Sequence, residues 1–308
     1  MTDAQITERR KWIALALLAT TQFVIVLDVA IVNVAIPSIG RDLSFSTENL
    51  AWIPNAYALT FGGFLLLGGR MADLLGRRRL FIAGLVLFGA ASLLAGFSQS
   101  EGQLIALRAL QGLGAAMLAP SALSMVTNMF SEGSERNKAL GVWGAVSGSG
   151  GAAGVLLGGV LTEYLGWEWV LWVNVPIALV AVLLAPRLLV ESRQESETRH
   201  FDALGALTIT AGLSLLVFVL VETVRVGWGS AQTIALLAVS LALIGVFIVI
   251  ERRSVAPLVP FRIFRLRTLT GANVVGLMVG ASLFSMFFFL SRYMQEVLRY
   301  DALKTGLS

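Results

Sequence analysis

Long apolar runs separated by short polar segments dominate this sequence. A membrane-spanning helix needs about 20 predominantly apolar residues, and nine runs come close to that length. Their approximate bounds are 13–36, 51–69, 80–98, 104–127, 140–162, 169–190, 204–222, 232–250 and 269–291. The pattern therefore predicts an all-α integral membrane protein with about nine transmembrane helices.

Composition supports this class and excludes several kinds of site. Of the 308 residues, 56% are hydrophobic and 14% are charged, whereas an average soluble domain has about 25% charged residues. The chain has no cysteine, and its one histidine, His200, lies in a charged linker. The sequence has no metal-ligand cluster and no phosphate-binding loop motif. We therefore expect a lipid bilayer as the environment, and no metal, cofactor or nucleic acid as a partner.

Lysine and arginine indicate the orientation, because cytoplasmic segments next to spanning helices carry an excess of them. With the N-terminus inside, the inner segments hold seventeen of the 23 basic residues and the outer segments hold five. The remaining one, Arg108, lies within a span. We therefore expect a multi-pass protein of the cell membrane with a cytoplasmic N-terminus.

Two polar interruptions divide the spans into blocks. The longer one, 191–202, follows the sixth span, and the second, 251–268, follows the eighth. We therefore expect a six-helix bundle at 1–190, a linker with a two-helix insert at 191–268, and the first helix of an incomplete bundle at 269–308. An odd span count is uncommon in proteins built from membrane repeats, so we expect the chain to be truncated.

Two charged residues lie inside predicted spans at similar depth. Asp28 is about 24 Å along the first span at 1.5 Å per residue, and Arg108 is near the outer end of the fourth. A charge in hydrocarbon costs at least about 2.5 kcal/mol, so each needs a partner or water, and the acid could instead take up a proton. Gln111 lies one turn deeper than Arg108, and Asn33 lies beyond Asp28 on the first helix.

Each of these residues has a structural and a functional interpretation. Asp28 is either a structural polar contact or a carboxylate that couples protons or substrate. Arg108 either holds the bundle together or favours the ionised form of Asp28 by opposite charge. We favour proton coupling by Asp28 and Arg108, because intramembrane charges are functional candidates by default. Asn33 and Gln111 are then candidates for the substrate cavity and its coupling.

The fifth span carries a stripe of glycines. Gly150, Gly154 and Gly158 recur at four-residue spacing, and Gly159 lies beside them. A second helix can pack very closely against such a stripe. The stripe is therefore either a tight packing surface or a sliding and hinge surface.

The turn after the fifth span is rich in tryptophan. Trp167, Trp169 and Trp172 precede Asn174 and Pro176. Tryptophan is enriched at membrane interfaces, so we expect this segment to be architectural.

A densely charged segment, GRMADLLGRRRL at 69–80, separates the second and third spans. We expect it to be a short loop that makes its flanking helices antiparallel neighbours, with tight bends at its glycines. It is either a basic loop that only sets orientation or a gating loop. The candidate gating residues are Gly69, Arg70, Asp73, Gly76, Arg77 and Arg78.

Five segments in chain order resemble motifs of the major facilitator superfamily, in its fourteen-span drug:proton antiporter branch. They are LDVAIVNVAIP at 27–37, GRMADLLGRRR at 69–79, RALQGLGAA at 108–116, GVLLGG at 154–159 and WEWVLWVNVPI at 167–177. Val155 stands where the antiporter motif has proline, so the resemblance leaves antiport and symport open.

The resemblance implies a helical bundle of the major facilitator type in a bacterial inner membrane. It also implies a transporter, not an enzyme, that alternates access for a small-molecule substrate and a proton. Asp73 and Arg77 would latch the inner face, and Asp28 and Arg108 would couple proton movement to the change of shape.

The expected function is proton-coupled secondary export of drugs or amphiphilic toxic compounds. One alternative is transport of a single polar metabolite, and another is a non-transporting remnant or assembly partner. The last span contains phenylalanines that weakly favour amphiphilic substrates. They are Phe284, Phe287, Phe288 and Phe289.

Overall fold

The computed structural model describes residues 8–46, 49–192, 202–254, 257–300 and 304, which are mainly helical. The helices are α1 Glu8–Asp42, α2 Trp52–Leu75, α3 Arg77–Ala95, α4 Glu101–Met129, α5 Ser134–Tyr164, α6 Trp169–Trp172, α7 Asn174–Leu188, α8 Ala203–Val226, α9 Ala231–Arg253 and α10 Arg267–Arg292, with a 3₁₀ helix at Phe261–Arg265 and a π-helix at Tyr293–Val297. The prediction of an all-α fold is confirmed.

The spans expected from hydropathy correspond closely to these helices. Among the described residues, eight helices are long and apolar enough to cross a membrane, with α6 and α7 together forming one span. The ninth expected span, 269–291, is helical as α10. Its Phe289 is largely exposed, whereas the side chains of Phe284, Phe287 and Phe288 lie outside the described residues.

The helices extend beyond the apolar runs that predicted them. α1 begins at Glu8 and ends at Asp42, and α9 continues through Glu251 to Arg253. Polar end residues are well solvated at a membrane interface, so a helix can continue past the point where hydropathy falls. Hydropathy therefore locates the membrane-embedded part of a helix and not its ends.

α1 and α4 are central to the block formed by α1–α7. α1 packs most extensively on α5 and also contacts α4 and α7. α2 and α3 both pack chiefly on α4 and contact each other much less. The expected pairing of the second and third spans is therefore present only in part, because α4 lies against both of them.

The later helices have fewer contacts with this block. α8 packs on α9 and also on α2, where the rings of Phe218 and Trp52 lie 5.7 Å apart. α10 packs mainly on its flanking 3₁₀ and π helices. The division of the chain at residues 190 and 268 stays a prediction.

Candidate functional site

Asp28 accepts hydrogen bonds from side chains of two other helices. Arg108 Nη1 donates to its Oδ2 at 2.6 Å. Gln111 Nε2 and Asn174 Nδ2 donate to its Oδ1 at 2.6 and 2.7 Å. The two charges expected at similar depth are thus in direct contact, and all four residues are at most 1% exposed.

Arg108 is itself held by several groups. Its Nε donates to the carbonyl oxygen of Ile53 at 3.2 Å, and its Nη1 also donates to Gln111 Oε1 at 2.7 Å. Its Cζ lies 4.6 Å from the centroid of the Tyr57 ring, a cation–π arrangement that gains strength when it is desolvated. The orientation of this guanidinium is therefore fixed from α1, α2 and α4.

Ser92 extends the arrangement to α3. Gln111 Nε2 donates to Ser92 Oγ at 2.8 Å, and Ser92 Oγ donates to the carbonyl oxygen of Phe88 at 2.8 Å. We call the connected set the buried polar network. Its members are Asp28, Tyr57, Ser92, Arg108, Gln111 and Asn174, and they come from α1, α2, α3, α4 and α7.

The network lies between two apolar clusters of the bundle core. One cluster contains Phe88, Ala115 and Ala178, and the other contains Ala95 and Leu104. On α3 and α4 the network residues therefore fall between members of the two clusters. Removing one partner of such a buried pair leaves an uncompensated charge at a cost of about 3–5 kcal/mol.

This geometry stabilises a carboxylate and its guanidinium partner without solvent. Charge-assisted hydrogen bonds are short and are stronger than neutral ones. Here they connect Asp28, Arg108 and Gln111 in a closed ring. Protonation of Asp28 would remove the charge that Arg108 neutralises. The network residues are at most 2% exposed, so the carboxylate is closed off from solvent in this arrangement of the helices.

Asn33 does not join this network. Its Nδ2 donates to the carbonyl oxygen of Val29 at 2.9 Å on its own helix. Asn33 is half-buried, whereas Gln111 is fully buried beside Asp28. Of the two candidate cavity residues, the structure therefore brings Gln111 to the charged pair. Asn33 lies at least one helical turn away along α1.

The glycine stripe of α5 faces the backbone of α1. A Cβ added at these positions would lie 2.8–3.0 Å from carbonyl oxygens of α1. The facing pairs are Gly150 with Phe23, Gly154 with Leu27 and Gly158 with Ile31. Gly159 is buried beside them. The contact surface thus lies on the helix that carries Asp28.

The segment at 69–80 is not the loop that its charges suggested. α2 continues through Gly69, Arg70 and Asp73 to Leu75, and α3 begins at Arg77. Gly76 alone separates the two helices, with φ of 106°. A bend at Gly69 is therefore wrong, because helix-forming residues carry α2 to its end and only Gly76 adopts a conformation that favours glycine.

An ion pair crosses this break. Arg77 Nη2 donates to Asp73 Oδ1 at 2.9 Å, and both side chains are partly exposed. Arg78 Nη1 donates to the carbonyl oxygen of Leu189 at 3.2 Å. The candidate gating residues thus lie on the last turns of α2 and the first turn of α3, where they contact each other and the chain that follows α7.

Glu191 is a contact of this segment that the sequence pattern did not reveal. Its carboxylate accepts from the backbone N–H groups of Arg78 and Arg79 at 3.1 and 3.2 Å. It thereby satisfies two donors at the N-terminus of α3, where negative charge is favourable. A Cβ at Gly76 would lie 2.6 Å from Glu191 Oε1. The only signal in the sequence is an acid that directly follows the sixth span.

Sequence reasoning also missed three members of the network. The architectural role of the turn that contains Asn174 stays a prediction, but the sequence did not reveal that the amide of Asn174 donates to Asp28. Trp172 does have an architectural contact, with its Nε1 donating to the carbonyl oxygen of Leu93 at 3.1 Å. Ser92 and Tyr57 are single polar side chains in apolar runs, and such residues carry no signal of their own.

The family follows from comparison with known proteins. The profile described as Major Facilitator Superfamily matches residues 18–308. The chain belongs to this superfamily. The resemblance read from the motifs is thus confirmed at the level of the superfamily, and membership of the fourteen-span branch stays a prediction.

Relatives within the major facilitator superfamily include resistance and export proteins of bacteria. The puromycin resistance protein of Streptomyces alboniger is 44% identical over 97% of this chain and 59% of its own length. The cephamycin export protein of Amycolatopsis lactamdurans is 45% identical over 96% of this chain and 61% of its own. The chain therefore spans about six tenths of the length of these relatives.

A solved structure supports the fold. The crystal structure of a peptide transporter superposes with a TM-score of 0.62 at 16% identity, covering 95% of this chain and 64% of that one. At this identity the likeness concerns the helical architecture only. In the part of the chain that the structure describes, no group of three or more His, Asp or Glu side chains could hold a metal ion.

Proposed function

We propose that the protein is a secondary transporter that exports amphiphilic, antibiotic-like compounds from bacteria in exchange for protons. The relatives named for puromycin resistance and cephamycin export support the substrate class. A multidrug transporter protein of Bacillus subtilis, 34% identical over 94% of this chain and 53% of its own length, supports a broad substrate range.

The buried polar network is the observation that carries proton coupling. An ion pair closed off from water inside a membrane bundle is costly unless its partners are complete. Protonation of Asp28 would break the charge balance with Arg108 and weaken the hydrogen bonds from Gln111 and Asn174. In our proposal, this change releases α1 from α4 and α7 in one of the two access states of the transport cycle.

The Asp73–Arg77 ion pair would act at the inner face in the same cycle. It joins the end of α2 to the start of α3 across Gly76. In our proposal, the pair is intact in one access state and parts in the other. α2 and α3 would then move as one unit only while the pair is formed.

The proposed orientation places the N-terminus in the cytoplasm. It is supported by the excess of arginine and lysine in the segments on that side. Because this chain has no cysteine, the labelling of a single introduced cysteine reports the orientation directly. Glu132→Cys should react with an impermeant maleimide only in inverted vesicles, and Glu163→Cys only in right-side-out vesicles. The reverse labelling pattern would overturn the orientation.

Proton-driven flux in inverted membrane vesicles tests the function. With an imposed pH gradient, vesicles containing the protein should accumulate several unrelated cationic dyes. Asp28→Asn should abolish this accumulation when the flux is normalised to the amount of folded protein in the membrane, because the variant is also expected to be less stable. Asp42→Asn is the matched control, because Asp42 lies on the exposed outer end of the same helix. It should leave the flux unchanged.

The alternatives are distinguished by the same assay. Accumulation of a single polar compound would indicate a specific metabolite transporter. No flux from folded protein would indicate a remnant or an assembly partner. Normal coupling in Asp28→Asn would refute the role of the carboxylate even if dyes are transported.

A further inference from the structure

A groove of about 450 Å³ runs between α1 and α7, outside the buried polar network. Ile13, Ala16 and Thr20 line it from α1, and Leu184 and Leu188 are among the residues that line it from α7. Thr20 is the one polar side chain among its lining residues. Ile13 is 45% exposed, so the groove opens to the surroundings of the bundle.

The dimensions of the groove match a lipid acyl chain. Its α7 wall extends from Pro176 to Leu188, about 18 Å at 1.5 Å per residue, and one leaflet of hydrocarbon is about 15 Å thick. An elongated apolar groove of this length suits one acyl chain.

The end of the groove at the start of α1 is basic. Arg10 of α1 donates through Nη2 to the carbonyl oxygen of Arg187 near the end of α7. Among the described residues, neither guanidinium forms an ion pair with a carboxylate. The nearby acids Glu8 and Glu135 are instead bound by Lys11 at 2.8 and 3.5 Å. Two positive charges therefore remain at the mouth of an apolar groove.

We propose that this groove binds one anionic phospholipid. An acyl chain lies between α1 and α7, and the headgroup phosphate contacts Arg10 and Arg187. Basic pockets between transmembrane helices on the cytoplasmic side suit anionic headgroups. In the proposed orientation the lipid belongs to the inner leaflet. None of the residues that line the groove belongs to the buried polar network.

Native mass spectrometry of the purified chain tests the proposal. The protein is equilibrated with mixed micelles containing equal amounts of phosphatidylglycerol and phosphatidylcholine. We expect the wild-type chain to retain one phosphatidylglycerol about tenfold more often than phosphatidylcholine, since each basic residue near the surface adds measurable attraction. The double variant Arg10→Gln/Arg187→Gln should retain both lipids about equally.

Two kinds of control separate headgroup from acyl-chain binding. Arg252→Gln/Arg253→Gln removes two charges from the same membrane side at the end of α9 and should keep the preference. Ala16→Trp fills the groove from an exposed position and should reduce retention of both lipids severalfold. Ala90→Trp, at an exposed position of α3, should not.

Folding is checked separately, because Arg10 also donates to the backbone of α7. Arg187→Gln alone removes an exposed guanidinium and keeps the carbonyl that Arg10 contacts, so it should weaken the preference without changing the thermal unfolding midpoint. Equal retention of both lipids by the wild type, or an unchanged preference in Arg187→Gln and the double variant, would overturn the proposal. A shift of the monomer–dimer ratio in Ala16→Trp, with lipid retention unchanged, would assign the groove to a second copy instead.

Discussion

At the scale of single residues, the charges of Asp28 and Arg108 depend on each other. Each is buried, and among the described residues each forms an ion pair only with the other. An isolated ion in a medium of low dielectric is much more costly than a paired one. Neutralising one member should therefore destabilise the bundle more than neutralising both.

A double-mutant cycle tests this dependence. Asp28→Asn and Arg108→Gln should each lower the free energy of unfolding by about 3–5 kcal/mol. The double variant should lose clearly less than the sum, because no unpaired charge remains. Reversible unfolding in detergent micelles, followed by circular dichroism, provides the three values. Strictly additive losses would mean that the contact between the two side chains contributes little.

The sequence identifies this site only in part, for a physical reason. A charge inside an apolar run is conspicuous, so Asp28 and Arg108 can be found and matched by depth. Asn174 and Ser92 are neutral. Burying such a side chain costs so little free energy that neutral polar residues can occur anywhere in a span. Their role depends on which helix faces lie together, and hydropathy carries no information about that arrangement.

At the scale of helices, the contact between α1 and α5 is set by backbone-to-backbone approach. Gly154 has no room for a side chain, because a Cβ there would lie 2.8 Å from the carbonyl oxygen of Leu27. Gly151, on the same helix, has nothing within 4 Å of such a Cβ. The two positions therefore differ in packing while sharing the same chemistry and nearly the same depth.

Leucine substitution separates the two positions. Gly154→Leu should force α5 away from α1 and cost about 1–3 kcal/mol of stability, the usual range for overpacking. Gly151→Leu should have a much smaller effect, because its side chain enters open space. The unfolding midpoints of the two variants in micelles measure the difference. Similar losses at both positions would mean that the stripe does not control the packing.

The helices themselves are largely predictable, whereas their partners are not. Eight of the nine expected spans coincide with helices that satisfy membrane length and hydropathy. The prediction of a loop at 69–80 is wrong because charged residues alone do not end a helix, and Gly76 alone separates α2 from α3. That α4, not α3, is the main partner of α2 depends on tertiary packing.

At the scale of the whole molecule, three helices are held together at the same end of the bundle. The Asp73–Arg77 pair joins α2 to α3, and Glu191, just after α7, accepts hydrogen bonds at the start of α3. Both contacts lie far from the buried polar network along the helices. A change at Asp73 should therefore weaken the contact between the ends of α2 and α3 and leave the network intact.

This separation gives a prediction for the transport cycle. Asp73→Ala should slow turnover severalfold without altering substrate affinity, because in the proposed cycle the partly exposed ion pair sets the relative stability of two access states and does not contact substrate. Initial rates of dye uptake at varied dye concentration separate the two parameters. Glu132→Ala is the matched control, since it removes an exposed i,i+4 pair with Arg136 and should leave both unchanged. Altered affinity with normal turnover in Asp73→Ala would contradict a role at the inner gate and would place the residue in substrate binding.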